Sequence, residues 1–205
     1  MGQKITPEDM LRMYAIGMYP MADSRESKLY YEDPAQRMII FPSGFHLPQR
    51  LRRKLRQNKF KVTCDIAFAA VVAGCADRKE TWITKELNEV YIELFRKGYA
   101  HSLEVWQDTQ LVGGLFGTAF KGMFVCDSLF YRVTDASKIA LVHLMARLVK
   151  GRYRFLDLQI PTDHLAQFGG TVITKQEFKQ LLQEARTHPA IFPVLLTESP
   201  LRFFL

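Results

Sequence analysis

Asp157 and Gln159, in the run FLDLQI (155–160), have residue types and a spacing suited to chemistry. Residues two apart on a strand share a face, so both side chains would point the same way. Such a pair can orient a bound polar group, although an amide oxygen is far too weak a base to hold a proton. Both could equally be strand-end groups satisfied by loop amides. Cys126 with His164 and Asp157 could imitate a cysteine hydrolase, but no nucleophile turn surrounds Cys126. Free cysteine in a strand is usually a buried apolar residue. His101, His143 and His164 lack metal-pair spacing, so no metal site is expected.

Charge is the second concentration of chemistry. Arg50, Arg52, Arg53, Lys54, Arg56, Lys59 and Lys61 fall within twelve positions with no acid among them. Of 28 Lys and Arg, removing these seven leaves 21, equal to the 21 Asp and Glu, so the whole net charge of +7 lies in this one segment. It is either a solvated helix face or a surface for a polyanion. The remaining composition is that of a globular chain. Of 205 residues, 48% are hydrophobic and 12% aromatic, enough for a core and too many for disorder. The longest apolar stretch (139–149) is interrupted by His143 and Arg147. It falls short of the ~20 residues that cross a bilayer, so no membrane association is expected. Three cysteines without a CxxC pair fit a reducing cytoplasm, and the N-terminus lacks a signal peptide's apolar segment. Gly2 and Thr6 match a myristoylation pattern, but Thr6-Pro7-Glu8-Asp9 reads better as a helix start.

These residues need elements to hold them. Periodicity predicts a helix over 7–16 stopping at Gly17, then short strands KLYYE and RMIIF around a Pro-containing turn. A helix backed by Leu47, Leu51 and Leu55 carries the basic run. Asp65 is expected to cap a small-residue helix ending at Gly74, and Thr84 a helix with the stripe Leu87, Val90, Tyr91, Leu94 and Phe95. From His101 an antiparallel meander follows through SLEVW, LVGGLFGTAF and MFVCDSLFYR. A nearly all-apolar helix (136–150), the strand 155–160, a loop 161–170 and an amphipathic helix (175–186) complete the chain.

That order is similar to the core of Gcn5-related N-acetyltransferases, an α+β fold with a mixed sheet and flanking helices. Its coenzyme A cradle would fall at 132–137, where Asp135 stands in place of a phosphate-admitting glycine and would repel a pyrophosphate. Another acyl carrier is expected, and no cofactor.

The blocks ETWITKEL (80–87), GYAHSLEVW (98–106), LVGGLFG (111–117), CDSLFYR (126–132), DASKIALVHL (135–144) and FLDLQIPTDHLAQFGG (155–170) resemble, in order, the bacterial leucyl/phenylalanyl-tRNA–protein transferase family. The likeness extends upstream through YAIGMYPMADSR (14–25). The resemblance implies a small N-terminal α/β domain (1–36) before a Gcn5-related domain (37–205). It implies transfer of Leu, Phe or Met from aminoacyl-tRNA to the α-amine of proteins beginning with Arg or Lys, creating a degradation signal. The runners-up are a Gcn5-related acyltransferase with another donor and a tRNA-binding relative without catalysis.

On this resemblance Asp157 and Gln159 form the reaction centre, with Gln159 orienting the amine and Asp157 the nearby anion. A route through the terminal adenosine's 2′-hydroxyl is the competing mechanism. Asp127 stands where the family has Glu and would meet the acceptor's basic side chain; otherwise it is a polar residue on an outward strand face. Leu115, Phe124, Leu129, Leu141, Leu144, Leu148 and Leu156 align with the donor side-chain pocket, although a pocket and a core have the same composition. An apolar cavity beside Gln159 is the structural check. Trp82 aligns with an aromatic that stacks on the terminal adenosine. Met21 replaces its usual Trp partner, and Tyr30 and Tyr31 offer further aromatic surface. Thr162 replaces a customary Asn. The basic run becomes a phosphate-contacting patch for the acceptor stem. The chain is expected to be a cytoplasmic monomer.

Overall fold

The computed structural model describes residues 4–204. Thr6 opens α1 (Pro7–Ile16) with a reciprocal capping box to Asp9, and Gly17 closes it in the left-handed conformation at φ +86°. Gly2 lies outside the described residues. Strands β1 (Tyr19–Met21) and β2 (Tyr30–Glu32) pair only with each other, while β3 (Gln36–Ile40) enters the main sheet. The basic helix α2 (Gln49–Arg56) is followed by β4 (Lys61–Cys64), α3 (Phe68–Ala76) and α4 (Lys85–Arg96). Then come β5 (Ala100–Gln107), β6 (Gln110–Phe120), β7 (Met123–Tyr131), α5 (Ala136–Lys150) and β8 (Phe155–Asp157). The chain continues through α6 (Asp163–Ala166), β9 (Thr171–Thr174) and α7 (Lys175–Thr187).

The architecture is α+β: a mixed seven-stranded sheet in the order β4-β5-β6-β7-β8-β3-β9, flanked by helices. The meander β5-β6-β7 is antiparallel as expected, β8 runs parallel to β7, and β3 is antiparallel to both β8 and β9. Alternation along the strands divides the core. Phe116, Met123, Val125 and Phe155 pack with α1, α3, α4 and α7; Leu115, Phe124, Cys126 and Leu156 pack with α5.

Three local expectations are corrected. Asp65 does not cap α3, whose N-cap is Ala67 with no side-chain bond. Its carboxylate accepts instead from the Ser102 amide (2.8 Å) and pairs with His101 Nδ1 (2.7 Å), tying the loop to β5. The strand 155–160 ends at Asp157, because that carboxylate accepts the Gln159 amide (2.8 Å) and turns Gln159 to φ +61°. Part of the expected loop 161–170 is the helical turn α6. Strand β9, which no periodicity announced, closes the sheet on β3. The apolar C-terminal segment lies over the α5 side, where Phe192 stacks on His101 at 4.0 Å and Phe204 meets Phe45 at 4.7 Å.

Candidate active site

The parallel ladder between β7 and β8 stops after the pair Val125–Asp157. Beyond it β7 continues, while the chain after β8 turns away at Gln159. At this fork β7 carries a bulge: Gly117 pairs with Cys126 and Phe116 with Ser128, so Asp127 has no partner across the ladder. A bulge re-aims side chains and shifts the facing pattern. Cys126 faces α5, Asp127 meets Tyr14 of α1, and after the bulge Leu129 lies on the α5 side and Phe130 opposite. Gly117 permits the close approach, since an added Cβ would overlap the Val125 carbonyl and the Phe124 ring.

Asp127 is therefore buried at 6% exposure, not a polar group on an outward face. Its Oδ1 accepts from Tyr14 Oη (2.7 Å) and Gln159 Nε2 (3.4 Å), and its Oδ2 from Thr118 Oγ1 (2.9 Å). The Tyr91 hydroxyl is 3.5 Å from that of Tyr14. Burial pushes the Asp127 carboxyl up to about 7, although the Tyr14 and Thr118 hydroxyls oppose it. When Asp127 is ionised its oxygens only accept, so the Gln159 amide nitrogen faces it and Oε1 is left to accept from another group.

Asp157, 1% exposed, sits one step behind. Arg37 Nη1 donates to its Oδ2 at 2.6 Å, and the Gln159 amide occupies Oδ1. Burial pushes this carboxyl upward and Arg37 pulls it back. The D-x-Q pair thus meets through one backbone bond, and only the Gln159 side chain reaches Asp127.

The aligned apolar residues lie elsewhere. Leu115, Phe124, Leu141, Leu144, Leu148 and Leu156 are fully buried in the cluster with α5, and Leu129 is partly buried against it. Asp127, Gln159 and Tyr14 lie across the sheet from them. Trp82 and Met21 are partly buried against the opposite cluster, with Trp82 edge-on to Tyr91 at 6.3 Å. The residues that follow Trp82, Ile83 and Thr84, line a cleft of about 950 Å³ together with Arg25, Glu26, Asp77, Lys85, Arg132 and alanines of α3. Tyr30 and Tyr31 pair with Met21 and Pro20, respectively. Thr162 is exposed at the start of α6 and makes no capping bond.

Leu47 and Leu51 anchor α2, leaving Arg50, Arg53, Arg56, Lys59 and Lys61 exposed. Three members of the basic run are engaged, Arg50 most loosely. Arg52 donates to the Phe204 carbonyl (3.3 Å), and Lys54 pairs with Asp135 (2.5 Å). Asp135, at φ +71° before α5, also meets Lys138 (3.2 Å) and Arg50 (3.9 Å). Burial opposes its charge, but Lys54 and Lys138 hold its carboxyl below the usual range. A cavity of about 420 Å³ between α2 and α5 is lined by Lys54, Lys59, Lys61 and His143.

Cys126 is buried in the α5 cluster with its thiol pushed up by burial, and His164 is exposed on α6, so the two form no hydrolase pair. Among the described residues no cluster of three or more His, Cys, Asp and Glu is arranged to hold a metal ion, and no helix is long and apolar enough to cross a membrane. Sequence reasoning missed Tyr14, Tyr91, Thr118 and Arg37. Arg37 had a signal, a charge beginning the apolar run RMIIF; Tyr91 read as a helix-stripe residue.

Comparison with known proteins gives a match of residues 39–183 to the family model of leucyl/phenylalanyl-tRNA protein transferase. The transferase of that name from Paramagnetospirillum magneticum is 48% identical over 193 residues, 92% of this chain and 92% of that one. Its counterpart from Salinibacter ruber is 45% identical over 185 residues, covering 90% and 82%. Among solved structures, a ribosomal-protein-alanine N-acetyltransferase from Brucella melitensis biovar Abortus 2308 aligns with TM-score 0.39 at 15% identity, over 68% of this chain and 99% of that one.

Proposed function

Because the chain belongs to the leucyl/phenylalanyl-tRNA–protein transferase family and moves an aminoacyl group from tRNA to protein, we propose that transfer takes place where β7 and β8 part, beside Gln159 and Asp127. The donor is Leu-, Phe- or Met-tRNA, and the acceptor the α-amine of a protein beginning with Arg or Lys, whose new N-terminus marks it for degradation. The observation that carries this reading is the Gln159 amide held against buried Asp127 at the fork.

An aminoacyl ester is already activated, so the protein must bring the amine close, keep it neutral and stabilise the tetrahedral oxygen. The amine attacks the ester carbonyl, a C–N bond forms and the C–O bond to ribose breaks. The amine gives up a proton as the departing ribose oxygen gains one. Gln159 Oε1 accepts from the attacking amine and orients its lone pair. Asp127, which meets the Gln159 amide nitrogen, supplies in its ionised form the negative potential that draws a basic N-terminus. Asp157 acts at one remove, as the anion that fixes the Gln159 backbone.

Trp82, with Met21 beside β2, offers the terminal adenosine a one-sided platform, and the exposed cations from Arg50 to Lys61 meet acceptor-stem phosphates. The apolar residues Leu115 to Leu156 receive the donor side chain only if the cluster with α5 opens beside the fork. The order of meander, α5, β8 and final helix supports a Gcn5-related arrangement. In this proposal residues 1–36 form a small N-terminal domain before it, and the protein acts as a cytoplasmic monomer.

Leu-tRNA charged with labelled leucine, incubated with the chain and an Arg-initiated peptide, tests this directly. The expected product is the peptide extended by one leucine at its N-terminus. Acetylation dependent on acetyl-CoA, or tRNA binding without turnover, overturns it.

A further inference from the structure

The geometry points to Arg37 as the positioning residue of this reaction, the closure of a ring of contacts that fixes both halves of the fork. The inference rests on Gln159 and Asp127 being the reaction centre. Arg37 is 2% exposed and is the second residue of β3, which lies between β8 and β9. Its guanidinium has two polar destinations. Nη1 donates to Asp157 Oδ2 at 2.6 Å, and Nη2 donates to the carbonyl of Gly17, the C-cap of α1. Both directions lead to Asp127. Along one, Asp157 holds the Gln159 amide at 2.8 Å, and the Gln159 side chain reaches Asp127. Along the other, Gly17 ends the helix whose Tyr14 hydroxyl meets the same Asp127 oxygen at 2.7 Å. Two elements that lie far apart in sequence therefore converge on one carboxylate and are tied together again behind it by one guanidinium.

Only arginine suits this position. Its planar fork presents donors in two directions at once, and its flat faces pack on aromatics, whereas an ammonium is a point charge that hydrates strongly. Here the guanidinium carbon lies 4.1 Å from the Phe178 ring centroid and 4.9 Å from that of Tyr19. Arg37 is remote from the reacting atoms and acts through Gln159. A small misplacement of an orienting group costs on the order of 100-fold in rate.

The test compares steady-state kinetics of Arg37→Lys, the charge-free pair Arg37→Met/Asp157→Asn, Gln159→Ala and the triple variant, using charged Leu-tRNA and an Arg-initiated peptide. The charge-free pair leaves no orphaned buried ion, so it remains foldable where Arg37→Met alone is at risk. Expected is a kcat loss of about 100-fold for the pair, with KM for both substrates nearly unchanged, and a smaller loss for Arg37→Lys. If Arg37 acts through Gln159, the triple variant is little worse than Gln159→Ala alone. A merely structural role instead gives multiplicative losses, or raised KM values with a lowered Tm, and overturns the proposal. So does a folded pair with wild-type kcat, while Gln159→Ala remains impaired. Near-normal turnover in Gln159→Ala removes the reaction-centre reading itself.

Discussion

The two faces of the seven-stranded sheet are built from the same strands and do opposite things. Toward α5 the sheet presents Leu115, Phe124 and Leu156 to a helix that is itself almost entirely buried, and the interface is apolar. Toward α1, α4 and α7 the same strands present Thr118, Asp127 and Asp157, joined there by Arg37, Gln159, Tyr14 and Tyr91. Buried polar groups persist only when each finds a partner, and on this face they are organised as one connected network. The difference comes from local breaks in regularity rather than from composition. The bulge at Asp127 and the left-handed turn at Gln159 aim two polar side chains at each other where regular strands would have kept both in their ladders. The apolar face gives packing, and the polar face gives orientation.

The largest expected effect tests whether the α5 face is core or pocket. Leu144→Ala, at a fully buried position of α5, is expected to cost ~2–5 kcal/mol of stability, read from the urea midpoint, with donor preference unchanged. A shift in Leu over Phe usage without loss of stability would make this face a donor pocket in the free protein and erase the contrast.

A second test concerns the titration of the carboxyl at the centre of the polar face. Burial raises the Asp127 carboxyl from 3.8 to about 7, so the folded state binds that proton more tightly than the unfolded state. The stability it contributes is complete below about 4 and is lost as pH rises through about 7. Wild type should therefore lose stability between pH 4 and pH 7 relative to Asp127→Asn, in which the slope from this site vanishes. Equal slopes in the two proteins would mean that Asp127 is not the titrating group.

The smallest effect concerns the edge of the apolar face, where α2 carries its cations. Replacing exposed Arg53 and Arg56 by Gln should reduce the slope of log affinity for tRNA against log salt by about 1 for each phosphate no longer neutralised. Asp135→Asn, which releases Lys54 from its closest acid, should steepen the slope instead. If all of these variants keep the wild-type slope, the run is a solvated helix face.

Much of this architecture was legible in the chain. Helix α1 falls between Thr6 and Gly17 because a capping box and a left-handed glycine are local devices, written within a few residues. The stripe of α4 and the meander follow from periods of 3.6 and 2. Strand β9 escaped because TVIT is short and mostly exposed, and its pairing with β3 joins segments more than 130 residues apart. Asp65 read as a cap because Asp before a helix commonly is one; here β5 competes for its carboxylate.

By itself the sequence determined the longer helices and the meander, the concentration of charge on α2 and the D-x-Q segment, since each depends on residues near one another along the chain. Tertiary structure alone decided that Asp157 faces Arg37, that Gln159 crosses to Asp127, and that Tyr14 and Thr118 complete the group. It also decided that the apolar residues aligned with a pocket lie across the sheet from these groups. The physical reason is that a bulge, an end of pairing and a buried ion pair are settled by which strands become neighbours, and no local period encodes that choice.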